Sequence, residues 1–303
     1  MNARHLACVV LAVVAIQAPP VATASAEVRA RSPQAALDDL LAADRAFADL
    51  ASRTNVVNAM AAMLDEDVLM PVPNGGFARG RADALNAMAA TGRALTARAD
   101  WAPVRGGLSA DGRHGFSWGY MTVRVADGSL RLAKYLSYWV RRPEGWRVAL
   151  YRRAPRPEGE VDMAMLEPAL PARLVAPSRA GASRRSVERS LDSAERAFSD
   201  DAQRLGLGPA FARWGSADAA NMGRGPSFRI GAASIAADMP AEVPSGVRWA
   251  PEGVLVASSG DLGVTWGWIH PNAPVADGRP AAFPYFTVWR RATPSEPWRY
   301  VAE

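Results

Sequence analysis

Leu40-Leu41-Ala42-Ala43-Asp44-Arg45-Ala46-Phe47-Ala48-Asp49 returns as Leu191-Asp192-Ser193-Ala194-Glu195-Arg196-Ala197-Phe198-Ser199-Asp200, 151 positions further on. The same spacing carries Asp67 to Asp218, Phe77 to Phe228, Gly80 to Gly231 and Met88 to Met239. With the offset drifting by a few residues, Trp101-Ala102-Pro103 recurs as Trp249-Ala250-Pro251. Gly115-Phe116-Ser117-Trp118-Gly119-Tyr120 recurs as Gly263-Val264-Thr265-Trp266-Gly267-Trp268, and Val125-Ala126-Asp127-Gly128 as Val275-Ala276-Asp277-Gly278. Tyr135, Trp139 and Trp146-Arg147 return as Tyr285, Trp289 and Trp298-Arg299. A period this long copies a whole domain rather than stacking solenoid units.

The 303 residues are 49% hydrophobic and 21% charged, a soluble globular composition with room for two domains. Arg4 and His5, the apolar run Leu6 to Ile16 and the small-residue site Ala24-Ser25-Ala26 read as a secretory signal over 1–26. That run is shorter than the ~20 residues a bilayer span needs. The expected location is therefore periplasmic or secreted, with no membrane association once the signal is removed. Cys8, the only cysteine, falls inside the signal, so the mature chain has no disulfide, thiol nucleophile or thiolate metal site.

With three histidines and no mature cysteine, no metal-ligand spacing exists, and no metal is expected. Gly206-Leu207-Gly208-Pro209 is too short and proline-broken to cradle a pyrophosphate, and no phosphate loop or nucleophile elbow is present, so no cofactor is expected either. The net charge of +5 is dispersed, with Arg152-Arg153 and Arg184-Arg185 as isolated pairs. A nucleic-acid surface would concentrate basic residues on one face, so nucleic acid is not an expected partner.

In the first copy Leu37, Leu40, Leu41, Phe47, Ala48 and Ala51 form one apolar stripe at helical spacing, with Ser32-Pro33 as a start signal. A second helix over 56–64, a short strand near 68–70 and a short helix over 81–90 follow. Four segments rich in aromatic and β-branched residues then span 101–109, 115–125, 130–141 and 146–151. Asp111-Gly112, Asp127-Gly128 and Pro143-Glu144-Gly145 separate them as hairpin turns. Helices first and an antiparallel meander after is an α+β order, and the second copy repeats it. The proline-rich stretch between the copies reads as a semi-rigid linker, with a short helix over Val161–Leu166 as an option.

This order of motifs resembles the SnoaL-like branch of the nuclear-transport-factor-2-like superfamily. The motifs are Ala-Asp/Glu-Arg-Ala-Phe on a helix, Phe-x-x-Gly, Trp-Ala-Pro, an Asp-Gly turn, Trp-Gly-aromatic, and Tyr-x-Ser/Thr-x-Trp ending in Trp-Arg. The likeness covers a first domain at 34–155 and a second at 186–303, leaving 156–185 as the Pro/Arg/Ala-rich linker. It implies two tandem cone-shaped domains, each a curved, mainly antiparallel sheet wrapped around N-terminal helices, with an apolar pocket opening at one end. Such domains pair through their sheets, so an internal pseudo-dimer is implied. The family holds isomerases, dehydratases, cyclases and epoxide hydrolases beside binding domains without chemistry, so the fold leaves function open.

Asp44 falls within the apolar stripe, where a carboxylate is costly unless paired, and Glu195 is its counterpart. A carboxylate in an apolar pocket could act as general acid or base. The favoured alternative is an ion pair with an arginine of the sheet. Trp118 and Tyr120 share a strand face, as do Trp266 and Trp268. Tyr135-x-Ser137-x-Trp139 and Tyr285-x-Thr287-x-Trp289 occupy other strands. One aromatic set lines the pocket and the other packs sheet on sheet, but alternation alone does not say which. Lys134, the only lysine, is a candidate anion ligand in the first pocket, with Pro284 in its place in the second copy. His114, beside a turn, is expected to be exposed.

The expected ligand-binding set is thus Asp44, Trp118, Tyr120, Lys134, Tyr135, Glu195, Trp266, Trp268 and Tyr285. The expected function is binding of a small, largely apolar molecule without chemistry. The alternative is an isomerase, dehydratase or hydrolase using Asp44 as acid or base. A third reading has both cones filled and the protein acting as an interaction scaffold.

Overall fold

Ser32 caps the first helix as its sequence predicts: its hydroxyl accepts the Ala35 amide at 3.1 Å, and Pro33 opens α1 (Pro33–Arg53). The computed structural model describes residues 31–72, 75–90, 92–178, 181–275 and 280–303. The signal segment expected over 1–26, with Cys8, lies outside the described residues, as does the repeated Ala276-Asp277-Gly278. After α1 come α2 (Val56–Met63), β1 (Leu64–Val72), β2 (Gly76–Arg79), α3 (Arg81–Ala89) and α4 (Arg93–Thr96). The meander is β3 (Arg98–Leu108), β4 (His114–Arg124), β5 (Leu130–Arg142) and β6 (Gly145–Pro155).

The second half runs α5 (Gly181–Leu205), α6 (Leu207–Trp214), β7 (Gly215–Asn221), β8 (Arg229–Ile230) and α7 (Ala232–Ala237). It closes with β9 (Val247–Val256), β10 (Leu262–Pro271), β11 (Phe283–Arg290) and β12 (Arg299–Ala302). The sheets are ordered β2-β1-β6-β5-β4-β3 and β8-β7-β12-β11-β10-β9, the same order with every label advanced by six. In each, one pair is parallel (β1 with β6, β7 with β12) and the rest antiparallel. The α+β class and the duplication are both realised: two cones, each sheet wrapped around its own helices.

The paired sequence motifs have a common cause. Pro103 lies opposite Gly119, and Pro251 opposite Gly267, beside the register shifts between β3 and β4 and between β9 and β10. A Cβ on Gly119 would stand 2.0 Å from the Ala102 carbonyl oxygen, and one on Gly267 2.2 Å from that of Ala250. The bulged backbone needs a strand without a side chain beside it, so Trp-Ala-Pro and Trp-Gly-aromatic travel together.

Three cores result. One fills the first cone, one lines the second, and a third joins the outer faces of both sheets. Trp118, Leu136 and Tyr138 contribute to this third core from one half, and Val264, Phe286 and Val288 from the other. Equivalent hairpin turns meet at its end: Asp111 accepts the Ser258 amide and hydroxyl at 2.7 Å each, and Asp261 accepts the Ala110 amide at 3.0 Å. Arg31–Glu303 is in consequence one compact unit. The stretch after β6 runs along β3, with Leu166 donating to the Val104 carbonyl at 2.8 Å and Ala169 to that of Gly106 at 3.0 Å. Val161–Leu166 is not helical. The residues instead satisfy the open edge of β3, with Pro168 and Pro171 holding them extended.

Candidate functional site

Each cone carries a fully buried carboxylate on its long helix. Asp44 of α1 accepts the Trp101 indole at 2.7 Å, the Ser117 hydroxyl at 2.7 Å and the Tyr135 hydroxyl at 3.0 Å. Glu195 of α5 accepts the Trp249 indole at 2.6 Å, the Trp289 indole at 2.9 Å and the Thr265 hydroxyl. Trp101 and Ser117 are the repeat equivalents of Trp249 and Thr265, and in each cone the third donor comes from the next strand, Tyr135 of β5 and Trp289 of β11. The arginine ion pair favoured for Asp44 is not formed: the neutral indole, hydroxyl and phenol satisfy the carboxylate without burying a second charge. The copies differ at the tyrosine. Tyr135 donates to Asp44, whereas the buried Tyr285 hydroxyl has no hydrogen-bond partner.

The second cone holds a cavity of about 340 Å³ lined by Glu195, Phe198, Phe211, Met239, Trp249, Ile269 and Tyr285. Arg152 and Ala154 join them from β6 of the first half, and Asn221, Met222, Gly223 and Glu303 complete the wall. Comparing repeat positions shows how it arises. Met60, Met70, Met121 and Tyr151 are buried in the first core, and their counterparts Phe211, Asn221, Ile269 and Glu303 border the cavity. Flexible methionines pack the first cone, while at the positions of Met70 and Tyr151 the second cone carries an amide and a carboxylate. Glu303 takes the Asn221 amide at 2.6 Å.

Burial dominates the electrostatics. It raises the Asp44 carboxyl against the opposing pull of its three donors. It pushes Glu195 up to about 7, again against its donors, and Glu303 up to about 7, with the Glu195 charge adding to the rise and Arg152 opposing it. Desolvation lowers the Arg152 guanidinium, with Glu303 pulling the other way. Two carboxylates that change charge near neutrality thus share one largely apolar cavity with a single guanidinium.

Of the residues expected to bind ligand, Glu195 and Tyr285 line this cavity together. Asp44 and Tyr135 are hydrogen-bonded to each other inside the packed first cone. The Tyr-x-Ser/Thr-x-Trp strands therefore face the cones. Trp118, Tyr120 and Trp266 instead belong to the core between the sheets. Trp268 packs edge-on against Phe77 of the other half, centroids 5.2 Å apart.

Lys134 is not an anion ligand of the first cone. Its ammonium is fully buried in the other direction and donates to the Met222, Gly223, Gly225 and Ser227 carbonyls, those of Gly225 and Gly223 at 2.7 and 3.1 Å. Its stem lies on β5 between Ala133 and Tyr135, which face the cone, so it points across the interface. It thus fixes the 222–228 segment, which is held further by the Phe228 amide donating to Tyr120 at 3.2 Å and by Phe228 packing on Trp118. Met222 and Gly223 of that segment wall the cavity. His114 is half-buried, not exposed: it meets the Tyr138 hydroxyl at 3.1 Å, and burial lowers it to about 4.

Sequence reasoning missed Glu303, Arg152 and Asn221. The repeat held a signal for Glu303: extending Trp146-Arg147/Trp298-Arg299 by four residues sets it against Tyr151. Among the described residues no group of three or more histidine, cysteine, aspartate or glutamate side chains converges to hold a metal ion. No described helix is long and apolar enough to cross a membrane.

No family model matches the chain, and no curated protein does. Solved structures of the nuclear-transport-factor-2-like, cystatin-like fold do, each over about two-fifths of the chain. A domain of unknown function from Nostoc punctiforme is 15% identical over 41% of this chain and 79% of its own, with a TM-score of 0.34. A nuclear-transport-factor-2-like protein from Novosphingobium aromaticivorans is 18% identical over 43% and 88%, with a TM-score of 0.32. One of unknown function from Shewanella oneidensis is 11% identical over 39% and 97%, with a TM-score of 0.33.

Proposed function

We propose that the chain binds a small, largely apolar molecule in its second cone, and that the first cone serves as a filled structural partner. The observation that carries this is the contrast between repeat positions. Methionines and a tyrosine fill one cone, and their counterparts edge a cavity of about 340 Å³ in the other. A concave, mainly apolar space with a few converging polar groups is the usual form of a small-molecule site.

The test is a thermal-shift screen against lipophilic small molecules, with Met239→Trp as the plugged control. A ligand at a hundred times its Kd adds about 2.7 kcal/mol to the folded state. For a chain of this size that raises Tm by roughly 5 to 10 °C. Met239 is half-buried and borders the cavity, so tryptophan there should abolish the shift without loss of folding. A broad library that moves Tm nowhere rules the proposal out.

A second reading is general acid–base chemistry of the isomerase, dehydratase or hydrolase kind. Glu195, rather than the enclosed Asp44, would be the acid or base. It is favoured by the position of Glu195 and Glu303 near 7, where a proton-transfer group works best at neutral pH.

A further inference from the structure

The hydrogen-bonding state of the cavity, taken with the binding reading above, specifies the polar part of the ligand. Glu195 already accepts hydrogen bonds from Trp249, Thr265 and Trp289, the pattern of an acceptor. A further partner there is best a donor, since a ligand carbonyl or carboxylate would face lone pairs. Tyr285 is only 5% exposed and lines the same cavity, and its buried hydroxyl has no partner, so it too can accept. Glu303 supplies a second carboxylate, and Arg152 is the one cation among the lining residues. Phe198, Phe211, Trp249, Tyr285 and Phe286 supply aromatic surface, which attracts cations through the ring quadrupole.

We propose that the second cone takes an amphiphilic amine: an apolar body with one protonated amino group, seated against the Glu195 carboxylate and the Tyr285 hydroxyl. With both carboxylates ionised the single guanidinium offsets only one of them, and the ammonium neutralises the other. Burial holds Glu195 and Glu303 near 7, with the Glu195 charge adding to the rise at Glu303, and a bound cation favours their ionised forms.

Three naphthalene probes that share one ring system and differ in head group separate this inference from the binding reading. They are 2-(1-naphthyl)ethylamine, 2-(1-naphthyl)ethanol and 1-naphthaleneacetate, titrated calorimetrically into the full chain at pH 7. The amine is expected to bind roughly tenfold more tightly than the alcohol, from one charge-assisted hydrogen bond and the aromatic walls. The acetate is expected to bind weakest. In Glu195→Gln the amine's advantage should vanish while the alcohol still binds. Should that variant fail to fold, Tyr285→Phe carries the test, since it deletes only an unpartnered oxygen and should weaken the amine several-fold. Alcohol binding at least as tight as amine binding overturns the amine inference and leaves the binding reading standing. An amine preference indifferent to both variants overturns the assigned seat. Absence of binding by all three probes counts against the binding reading and the inference with it.

Discussion

Replacing Glu195 with glutamine should favour stability, relative to wild type, increasingly as pH rises from 5 to 8, on top of a pH-independent cost from the amide nitrogen that must face an indole or hydroxyl donor. The Glu195 carboxyl is fully buried, and desolvation moves it from an ordinary 4.5 to about 7. Between those values the folded chain keeps a proton that the unfolded chain releases, so wild-type stability falls as pH rises. Above 7 the whole cost of burying the charge is present. At 1.36 kcal/mol per pH unit, that cost is roughly 3 kcal/mol by pH 8. Glutamine carries no charge at any pH, and removing the Glu195 charge also lets Glu303 relax downward, an effect of the same sign.

His114 works the other way. Held near 4, it makes stability rise between pH 4 and its ordinary 6.5, which masks the effect in wild type alone. The difference between the two proteins cancels it. Urea unfolding of both at pH 5, 6, 7 and 8 should show that difference widening by roughly 2 to 3 kcal/mol in favour of the variant. A difference that stays flat would mean the two indoles and the threonine hydroxyl offset burial and keep Glu195 ionised throughout, and the reasoning fails.

Two further outcomes follow from the interface and the bulges. Lys134→Met keeps the stem length but leaves four carbonyls without their cation, and should cost roughly 3 kcal/mol of stability and speed amide exchange over 222–228; unaltered exchange there refutes the clamp. Gly119→Ala and Gly267→Ala should each cost about 3 kcal/mol in urea unfolding, because the added methyl meets a backbone carbonyl that cannot rotate away. Near-neutral alanines would refute the account of the paired motifs.

The repeat made the architecture legible. Once Asp44 and Glu195, Trp101 and Trp249, and Tyr135 and Tyr285 were aligned, the duplicated helix-then-meander plan followed, but the neutral donors that hold the two carboxylates in place of an arginine did not. Nor did the face each strand turns to its cone. β4 and β5 are buried on both sides, one by the helices and one by the other sheet, so their middle residues show no polar–apolar alternation. That is why Trp118, Tyr120 and Lys134 read as pocket residues and prove to be interface residues. The cavity was hidden for another reason: Asn221 and Glu303 stand where the first cone has the bulkier Met70 and Tyr151, and side-chain volume leaves no periodic trace. Arg152 reaches the cavity from the other half, a juxtaposition that local pattern does not encode.

The lysine clamp has an evolutionary corollary. In a two-fold dimer of identical chains every contact occurs twice, so a lysine that grips its neighbour must itself be gripped. With both copies on one polypeptide that obligation lapses, and Pro284 can stand where symmetry would demand a second lysine. Selection can then act on either copy alone, and a difference between the two halves becomes heritable.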